Sequence, residues 1–213
     1  ATFATIDKLE SGGKYLFIST SEVYSGLPKP PYKENQIGTT NTDHPRSCYI
    51  EGKRGGEAIV NAYRARGVSA KSARLALAYG PGTRKDDARV LNNFIQKALT
   101  KGKIELMDSG ISPRTYLYVA DAVEILFDIL FKGSDGLYNV GGTSRTTIAK
   151  LAKLVGKNTK TPVIIPKDKV GLSGAPTDVR LDMTKAKKEF GKTNFIPLEE
   201  GLRRTIDWQR KLY

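Results

Sequence analysis

A tyrosine and a lysine four residues apart are the most suggestive pair of reactive side chains in this sequence. Tyr49 and Lys53 stand near the start of a predicted helix, and residues four apart share one helix face. Because a cation near a phenol favours the phenolate form, the pair would make Tyr49 a usable base. The spacing is a weak pattern alone, but Tyr49 is the one tyrosine among 10 with lysine at that distance.

A second group of polar residues follows the first predicted strand. The run 14–19 is almost continuously apolar, which is typical of a buried parallel strand, and three hydroxyls and a carboxylate occupy 19–22 at its carboxyl end. Ligands of doubly wound sheets bind beyond that end of the strands. Such residues also form simple turns, so it is their combination with the Tyr49 helix, across one loop, that indicates a site.

Hydrophobic patterning predicts an α/β fold. Predicted strands cover 14–19, 72–79, 103–107, 137–140 and 163–165, and predicted helices cover 3–9, 49–66, 90–99, 119–131, 147–155, 184–190 and 198–212. Alternation of this kind implies a largely parallel sheet. A loop rich in Pro, Gly, Asn and Thr spans 25–46, and a long loop inside a compact domain is usually functional.

The composition limits the classes of function. The 213 residues are 39% hydrophobic and 27% charged, and no apolar run approaches the roughly 20 residues that span a bilayer. Cys48 is the sole cysteine, which excludes an internal disulfide and suits a reducing compartment. His44 is the sole histidine and has no second type of ligand nearby, so we expect no metal site. We therefore expect a cytoplasmic protein with no membrane partner.

The net charge of +13 is compatible with two kinds of anionic partner. A basic surface attracts nucleic acid, and it equally attracts a small dianion such as a nucleotide diphosphate. The basic residues are scattered, with their densest group at 185–188, and this favours the small anion. A basic nucleic-acid-binding module remains an alternative, which steep salt dependence of binding would reveal.

The order of the motifs resembles that of the extended short-chain dehydrogenase/reductases that use NAD to act on nucleotide sugars. These enzymes include 4-epimerases, 4,6-dehydratases and UDP-glucuronate decarboxylases. The resemblance covers essentially the whole chain and rests on segments 15–24, 45–54, 74–81, 89–94, 114–122, 138–142 and 197–202. It implies a Rossmann-like parallel sheet with a small C-terminal α/β substrate-binding domain.

The resemblance also implies a division into domains. Residues 1–80 would be the C-terminal part of the dinucleotide-binding domain and 81–213 mostly the nucleotide-sugar domain, with 115–142 returning to the Rossmann sheet. No Gly-x-x-Gly-x-x-Gly turn precedes Lys14, so we expect roughly the first half of that sheet to lie outside this sequence. The chain by itself would then bind NAD poorly.

Three residues match the family's shared first step. Tyr49 would take the proton of the sugar 4-hydroxyl while hydride leaves C4 for NAD. Thr20 would hydrogen-bond the same oxygen, and Lys53 would hold the cofactor ribose. Further positions on the cofactor side are matched by Ser19, Tyr79 and Pro81.

The residues after Thr20 favour one branch of the family. Dehydratases carry an Asp-Glu pair there, whose acid protonates the leaving 6-hydroxyl, whereas this chain has Ser21 and Glu22. Thr-Ser-Glu-Val-Tyr is similar to UDP-glucuronate decarboxylases, in which a β-keto acid loses carbon dioxide without a strong protein acid. Ser21 and Glu22 would position the carboxylate or handle the proton returned at C5. A 4-epimerase, a 4,6-dehydratase and a non-catalytic relative or fragment remain alternatives.

Six residues match positions or segments that contact the nucleotide sugar. Arg89 and Arg114 match positions for the nucleotide or its diphosphate, for which a bidentate guanidinium is well suited, although arginines also form surface ion pairs. Val90 and Tyr118 fall where relatives enclose the base. The segment that closes on the nucleotide contains Asp178 and Arg180.

Family analogy also predicts a homodimer. Relatives tend to associate through the helix that bears Tyr49. Small residues at Gly55, Gly56 and Ala58 would allow close contact between two such helices.

Overall fold

A computed structural model describes residues 2–166 and 179–213. Its helices are α1 (Thr2–Ile6), α2 (Ser47–Ala65), α3 (Val90–Lys101), α4 (Val119–Lys132), α5 (Ile148–Thr159), α6 (Thr184–Phe190) and α7 (Leu198–Gln209). Its strands are β1 (Lys14–Thr20), β2 (Ser69–Leu75), β3 (Leu77–Tyr79), β4 (Ile104–Glu105), β5 (Pro113–Tyr118), β6 (Leu137–Val140), β7 (Ser144–Thr147) and β8 (Val163–Ile164).

The chain forms two compact units whose segments alternate along the sequence. Unit 1 comprises Ala1–Ala76, Asp121–Gly141 and Val179–Asn194, and unit 2 comprises Leu77–Ala120, Gly142–Asp178 and Phe195–Tyr213. The boundary between the units falls within the predicted strand 72–79. The prediction of one strand was wrong, because the structure has β2 before this boundary and β3 after it. The amide of Ala76 still bonds to Val140 at 2.9 Å, whereas Leu77 already pairs with Tyr116. A continuous apolar run does not reveal a change of partner strand.

Unit 1 is built on a parallel sheet in the order β1-β2-β6. Helix α2 packs on this sheet, and Val60 shares a buried cluster with Ala70 and Ile6. A Cβ at Gly56 would collide with the ring of Phe17, so this glycine lets α2 approach β1 closely. The helix that bears Tyr49 and Lys53 is thereby seated directly on the strand that ends at Thr20.

Unit 2 contains a three-stranded sheet in the order β3-β5-β7 and a parallel pair of β4 and β8. Strand β5 is parallel to β3 and antiparallel to β7. Strands β5 and β7 were missed in the sequence because β5 opens with proline and Ser144–Thr147 has no apolar residue, so neither shows a clear alternation of period two. Helices α3, α5 and α7 contribute to the core of this unit.

The predicted α/β class is confirmed, and so is the loop 25–46, in which Tyr32 forms an isolated bridge to Leu181. The predicted helix 3–9 is shorter and ends at Ile6.

Within the ranges 2–166 and 179–213, no helix combines the length and apolarity needed to cross a bilayer. Those ranges also contain no cluster of side chains suited to hold a metal ion.

Candidate functional site

The first turns of α2 hold Tyr49 and Lys53 together. The ammonium of Lys53 donates to the carbonyl of Ile18 at 2.7 Å and lies 5.8 Å from the centroid of the Tyr49 ring. Tyr49 is 42% exposed, so its ring remains open to a ligand. Lys53 therefore joins the Tyr49 helix to the carboxyl end of β1.

Thr20 ends β1 and caps the short 3-10 helix Ser21–Tyr24. Its hydroxyl oxygen accepts a hydrogen bond from the amide of Glu22 at 3.3 Å. Because that contact uses an oxygen lone pair, the hydroxyl proton can still be donated to a ligand oxygen. Thr20 and Ser21 are each 7% exposed, so their positions are set by packing as well as by the cap.

The half-buried carboxylate of Glu57 joins three elements near these residues. Ser19 donates to Glu57 at 2.5 Å, and the same carboxylate pairs with Arg74 of β2 at 2.7 Å. Glu57 lies four residues after Lys53 on α2 and so shares its helix face. Sequence reasoning missed the role of Glu57, although this spacing was a signal that could have revealed it.

Arg46 is a second residue whose role was not predicted, although it lies in the motif segment 45–54. Its guanidinium forms a bidentate ion pair with Glu22, and its Cζ lies 5.0 Å from the centroid of the Tyr49 ring. Glu22 and Tyr49 are far apart in sequence, so no spacing pattern could have predicted that one arginine contacts both. Arg46 thus lies between two of the predicted catalytic residues.

Arg74 of β2 connects loop 25–46 to the sheet through hydrogen bonds. Its Nη1 donates to the carbonyls of Glu34 and Gln36 at 3.1 and 2.9 Å, and its guanidinium lies 4.7 Å from the Tyr24 ring centroid. Burial raises the pKa of Tyr24 to about 12, and its hydroxyl donates to Asn139 at 2.7 Å. Tyr24 therefore acts as a buried hydrogen-bond donor rather than as a base.

Unit 2 contains a cavity of about 380 Å³ lined by two of the predicted substrate residues, Val90 and Arg114. Asn93, Lys97, Glu105 and Ser112 add polar groups to its wall. The guanidinium of Arg114 donates to the carbonyl of its neighbour Pro113 at 2.7 Å, and it has no other acceptor within residues 2–166 and 179–213, so most of its donors remain for an anion there.

Arg89, in contrast to Arg114, forms an ion pair with a nearby carboxylate. It precedes α3 and forms an ion pair with Asp87, with Nη2 to Oδ2 at 2.6 Å. Hydrogen bonding from the Arg89 guanidinium lowers the pKa of Asp87 to about 2. Asp87 would therefore compete with a phosphate for this arginine.

Two predicted residues are buried in unit 2. Tyr79 and Tyr118 are 4% and 6% exposed, and their ring centroids lie 5.7 Å apart in an edge-on arrangement. Neither lines the cavity that contains Val90 and Arg114. Pro81 lies in the turn after β3.

Arg180 belongs to unit 1. Its Nη2 donates to the carbonyl of Pro30 at 3.4 Å, and its own carbonyl accepts from the amide of Tyr32 at 2.9 Å. Arg180 thus holds loop 25–46 in place within this unit. Asp178 lies outside the described residues.

Comparisons with known proteins identify relatives over most of the chain. The model of the NAD dependent epimerase/dehydratase family matches residues 4–141. UDP-glucuronic acid decarboxylase 1 of Arabidopsis thaliana is 34% identical over 92% of this chain and 45% of its own length. The enzyme of the same name from Xenopus tropicalis is 33% identical over 94% of the chain and 48% of its length. The chain spans about half the length of these curated relatives.

Solved structures agree on the fold. UDP-glucose 4-epimerase of Thermotoga maritima, solved with UDP-glucose, superposes with a TM-score of 0.82 at 30% identity, over 99% of this chain and 67% of that one. The dTDP-glucose 4,6-dehydratase of Bacillus anthracis, solved with NAD, has a TM-score of 0.78 at 23% identity over 99% and 66%. The Rossmann-like α/β fold expected from the motifs is confirmed, and this chain belongs to the NAD-dependent epimerase/dehydratase family.

Proposed function

We propose that the protein is an NAD-dependent decarboxylase of a nucleotide-linked hexuronic acid, similar to UDP-glucuronate decarboxylases. The observation that carries the proposal is that the Lys53 ammonium donates to the carbonyl of Ile18, two residues before Thr20, and lies 5.8 Å from the centroid of the Tyr49 ring. Curated relatives that bear the name UDP-glucuronic acid decarboxylase support the choice of reaction.

The donors in unit 1 fit the nicotinamide ribose of NAD. The Lys53 ammonium has three N–H groups, and among the residues that the structure describes only Ile18 accepts from it, so two are available for ribose hydroxyls. We propose Tyr49, Lys53 and Ser19 on the cofactor side. NAD, when bound, takes up the hydride of C4 and later returns it.

Tyr49 and Thr20 carry the first step in this proposal. Tyr49 takes the proton of the sugar 4-hydroxyl as general base, and Thr20 donates a hydrogen bond to the same oxygen. The Lys53 ammonium, 5.8 Å from the Tyr49 ring centroid, places a positive charge beside this base. The product of this step is a 4-keto sugar, and Tyr49 returns its proton to O4 when C4 is reduced again.

Decarboxylation follows from the chemistry of the keto acid. The bond from C5 to the carboxyl carbon breaks, its electron pair moves into the enolate of the C4 ketone, and carbon dioxide leaves. A proton is then added at C5. We propose that Ser21 and Glu22 position the carboxylate or handle this proton, since both follow Thr20 directly.

The nucleotide would bind in unit 2. The cavity lined by Val90 and Arg114 has a size suited to a small ligand and contains a guanidinium with free donors. Arg89 would contribute at the start of α3, and Tyr118 would support the base from the core of this unit. In this scheme unit 1 carries the cofactor chemistry and unit 2 the nucleotide.

Product analysis tests the reaction. The protein is incubated with NAD and a panel of UDP-, dTDP- and GDP-linked sugars, and product masses are measured. We expect UDP-glucuronate to lose carbon dioxide. Loss of water would instead identify a dehydratase, and an isomer of unchanged mass would identify a 4-epimerase; either result contradicts the proposal.

We also propose a cytoplasmic homodimer that associates through α2. Added Cβ atoms at Gly52 and Gly55 would meet no atoms, so this face of the helix is open to a close neighbour. Gly56 is not available for that contact because it packs on Phe17. Light scattering should give the mass of a dimer for the protein and of a monomer for Gly55→Glu; a monomeric parent protein contradicts this.

A further inference from the structure

The guanidinium of Arg46 is held along one edge only. Its Nε and Nη2 donate to the two carboxylate oxygens of Glu22, with Nη2 to Oε1 at 2.6 Å. Within the described part of the chain, Nη1 has no hydrogen-bond partner, and the side chain is 51% exposed. The edge formed by Nη1 and the second N–H of Nη2 is therefore open to a ligand.

The open edge belongs to a guanidinium that lies beside the proposed base. Arg46 Cζ is 5.0 Å from the ring centroid of Tyr49. In a hexuronic acid, C5 carries the carboxyl group and is bonded directly to C4. A substrate whose 4-hydroxyl reaches Tyr49 therefore brings its carboxylate close to Arg46.

We propose that Arg46 binds the carboxylate of a nucleotide-linked hexuronic acid through this open edge, while Glu22 fixes the opposite edge. The inference rests on the proposed function, because it requires the 4-hydroxyl to be at Tyr49. A guanidinium has five N–H donors and can hold two carboxylates along two edges. A neutral hexose offers no charge at this position, so Arg46 selects acidic sugars.

The ion pair of Arg46 with Glu22 is compatible with a substrate carboxylate that later leaves as carbon dioxide. Glu22 neutralises much of the arginine's charge, so Arg46 orients the substrate carboxylate without the strong stabilisation that a lone cation would give. Glu22 also holds the guanidinium in one orientation before substrate arrives, which reduces the entropy lost on binding.

Binding selectivity separates this role from a structural one. Affinities for UDP-glucuronate and UDP-glucose are measured by calorimetry with the NAD-loaded protein and its Arg46→Met variant. We expect Arg46→Met to raise the Kd of UDP-glucuronate roughly 10- to 100-fold, the range for a charge-assisted hydrogen bond, and to leave that of UDP-glucose within about twofold.

Arg66→Met is the matched control. Arg66 follows the other end of α2, and its Cζ lies 5.8 Å from the ring centroid of Tyr63, so the variant loses the same charge and a similar ring contact far along the helix. It should leave both Kd values unchanged. If Arg46→Met does not fold, Arg46→Lys keeps a positive charge and should retain part of the preference for UDP-glucuronate.

The outcomes distinguish this inference from the proposed reaction. Equal weakening of both ligands by Arg46→Met, no preference in Arg46→Lys, or no preference in the parent protein overturns the role of Arg46. If the preference for UDP-glucuronate depends on Arg46 but the product retains its carboxyl group, the role of Arg46 holds and the proposed decarboxylation fails.

Discussion

Ser19 donates a hydrogen bond to Glu57 at 2.5 Å, which joins the carboxyl end of β1 to the middle of α2. The same carboxylate pairs with Arg74, whose side chain is 4% exposed. Because Glu57 shares a helix face with Lys53, this partly buried contact fixes the face of α2 that bears the proposed base relative to the strand that bears Thr20. The geometry of the proposed site thus depends on an ion pair that would touch no substrate.

We expect Glu57→Gln to destabilise the protein by roughly 3–5 kcal/mol, because removal of one partner leaves a buried charge uncompensated. Urea unfolding of the parent and variant proteins measures the change. Glu51→Gln is the matched control on the same helix: its partner is Arg54 and its side chain is 43% exposed, so we expect a loss of no more than about 1 kcal/mol. Equal losses in the two variants would contradict the structural role of Glu57.

Tyr49→Phe should abolish most of the activity without disturbing the fold. Removal of a general base typically costs roughly 100- to 10,000-fold in rate, and we expect kcat/KM for decarboxylation to fall within that range. Tyr63→Phe, further along α2, removes the hydroxyl that bonds to Asp7 and should leave kcat/KM within about twofold. Turnover that survives in Tyr49→Phe would remove the basis of the mechanism.

The sequence predicted features that depend on local spacing. The helix containing Tyr49 and Lys53, the strand 14–19 and the loop 25–46 are all present in the structure. The expected burial of that strand was wrong for residues 14–18, which are exposed or half-buried because β1 is an edge strand of its three-stranded sheet. Each has a local physical signal: an apolar stripe of helical period, a continuous apolar run, or a cluster of turn-forming residues. The proximity of Lys53 to the end of β1 followed from the order of these elements in a parallel sheet.

Features that depend on contacts distant in sequence were not predicted. Arg46 meets Glu22 across 24 positions, and Arg74 meets Glu57 across 17. Side-chain type and spacing do not specify which carboxylate an arginine will find. The polar strand β7 was missed for a related reason, since its pairing with β5 stabilises it more than its own residues indicate.

The two predicted nucleotide-binding arginines should differ in effect. Arg114 lines the unit 2 cavity with most of its donors free, whereas Arg89 is already paired with Asp87. We expect Arg114→Met to weaken UDP binding at least about 10-fold and Arg89→Met to weaken it less. Calorimetry with UDP measures both, and Arg84→Met, at an arginine with an 83% exposed side chain, is the control. A larger loss of UDP affinity in Arg89→Met than in Arg114→Met would mean that Arg89, not Arg114, is the main contact of the nucleotide.

The ion pair of Asp87 and Arg89 should make stability depend on pH in an acidic window. The pKa of Asp87 is lowered from 3.8 to about 2, chiefly by hydrogen bonding from Arg89. Between these values the unfolded chain binds more protons than the folded one, so this stabilisation is complete above about pH 4 and is lost as pH falls towards 2. Since Arg89 is 60% exposed and solvent screens the pair, we expect about 1 kcal/mol.

Asp87→Asn isolates this contribution. The difference in unfolding free energy between the parent and this variant should be about 1 kcal/mol at pH 6 and should shrink as the pH falls towards 2, because Asp87 then becomes protonated in the unfolded state and increasingly protonated in the folded state of the parent. Asp86→Asn, beside it, removes an exposed pair with Arg84 whose side chains are 69% and 83% exposed, and should show little difference at either pH. A difference for Asp87→Asn that stays constant as the pH falls would mean that the carboxylate owes its effect to packing rather than to its charge.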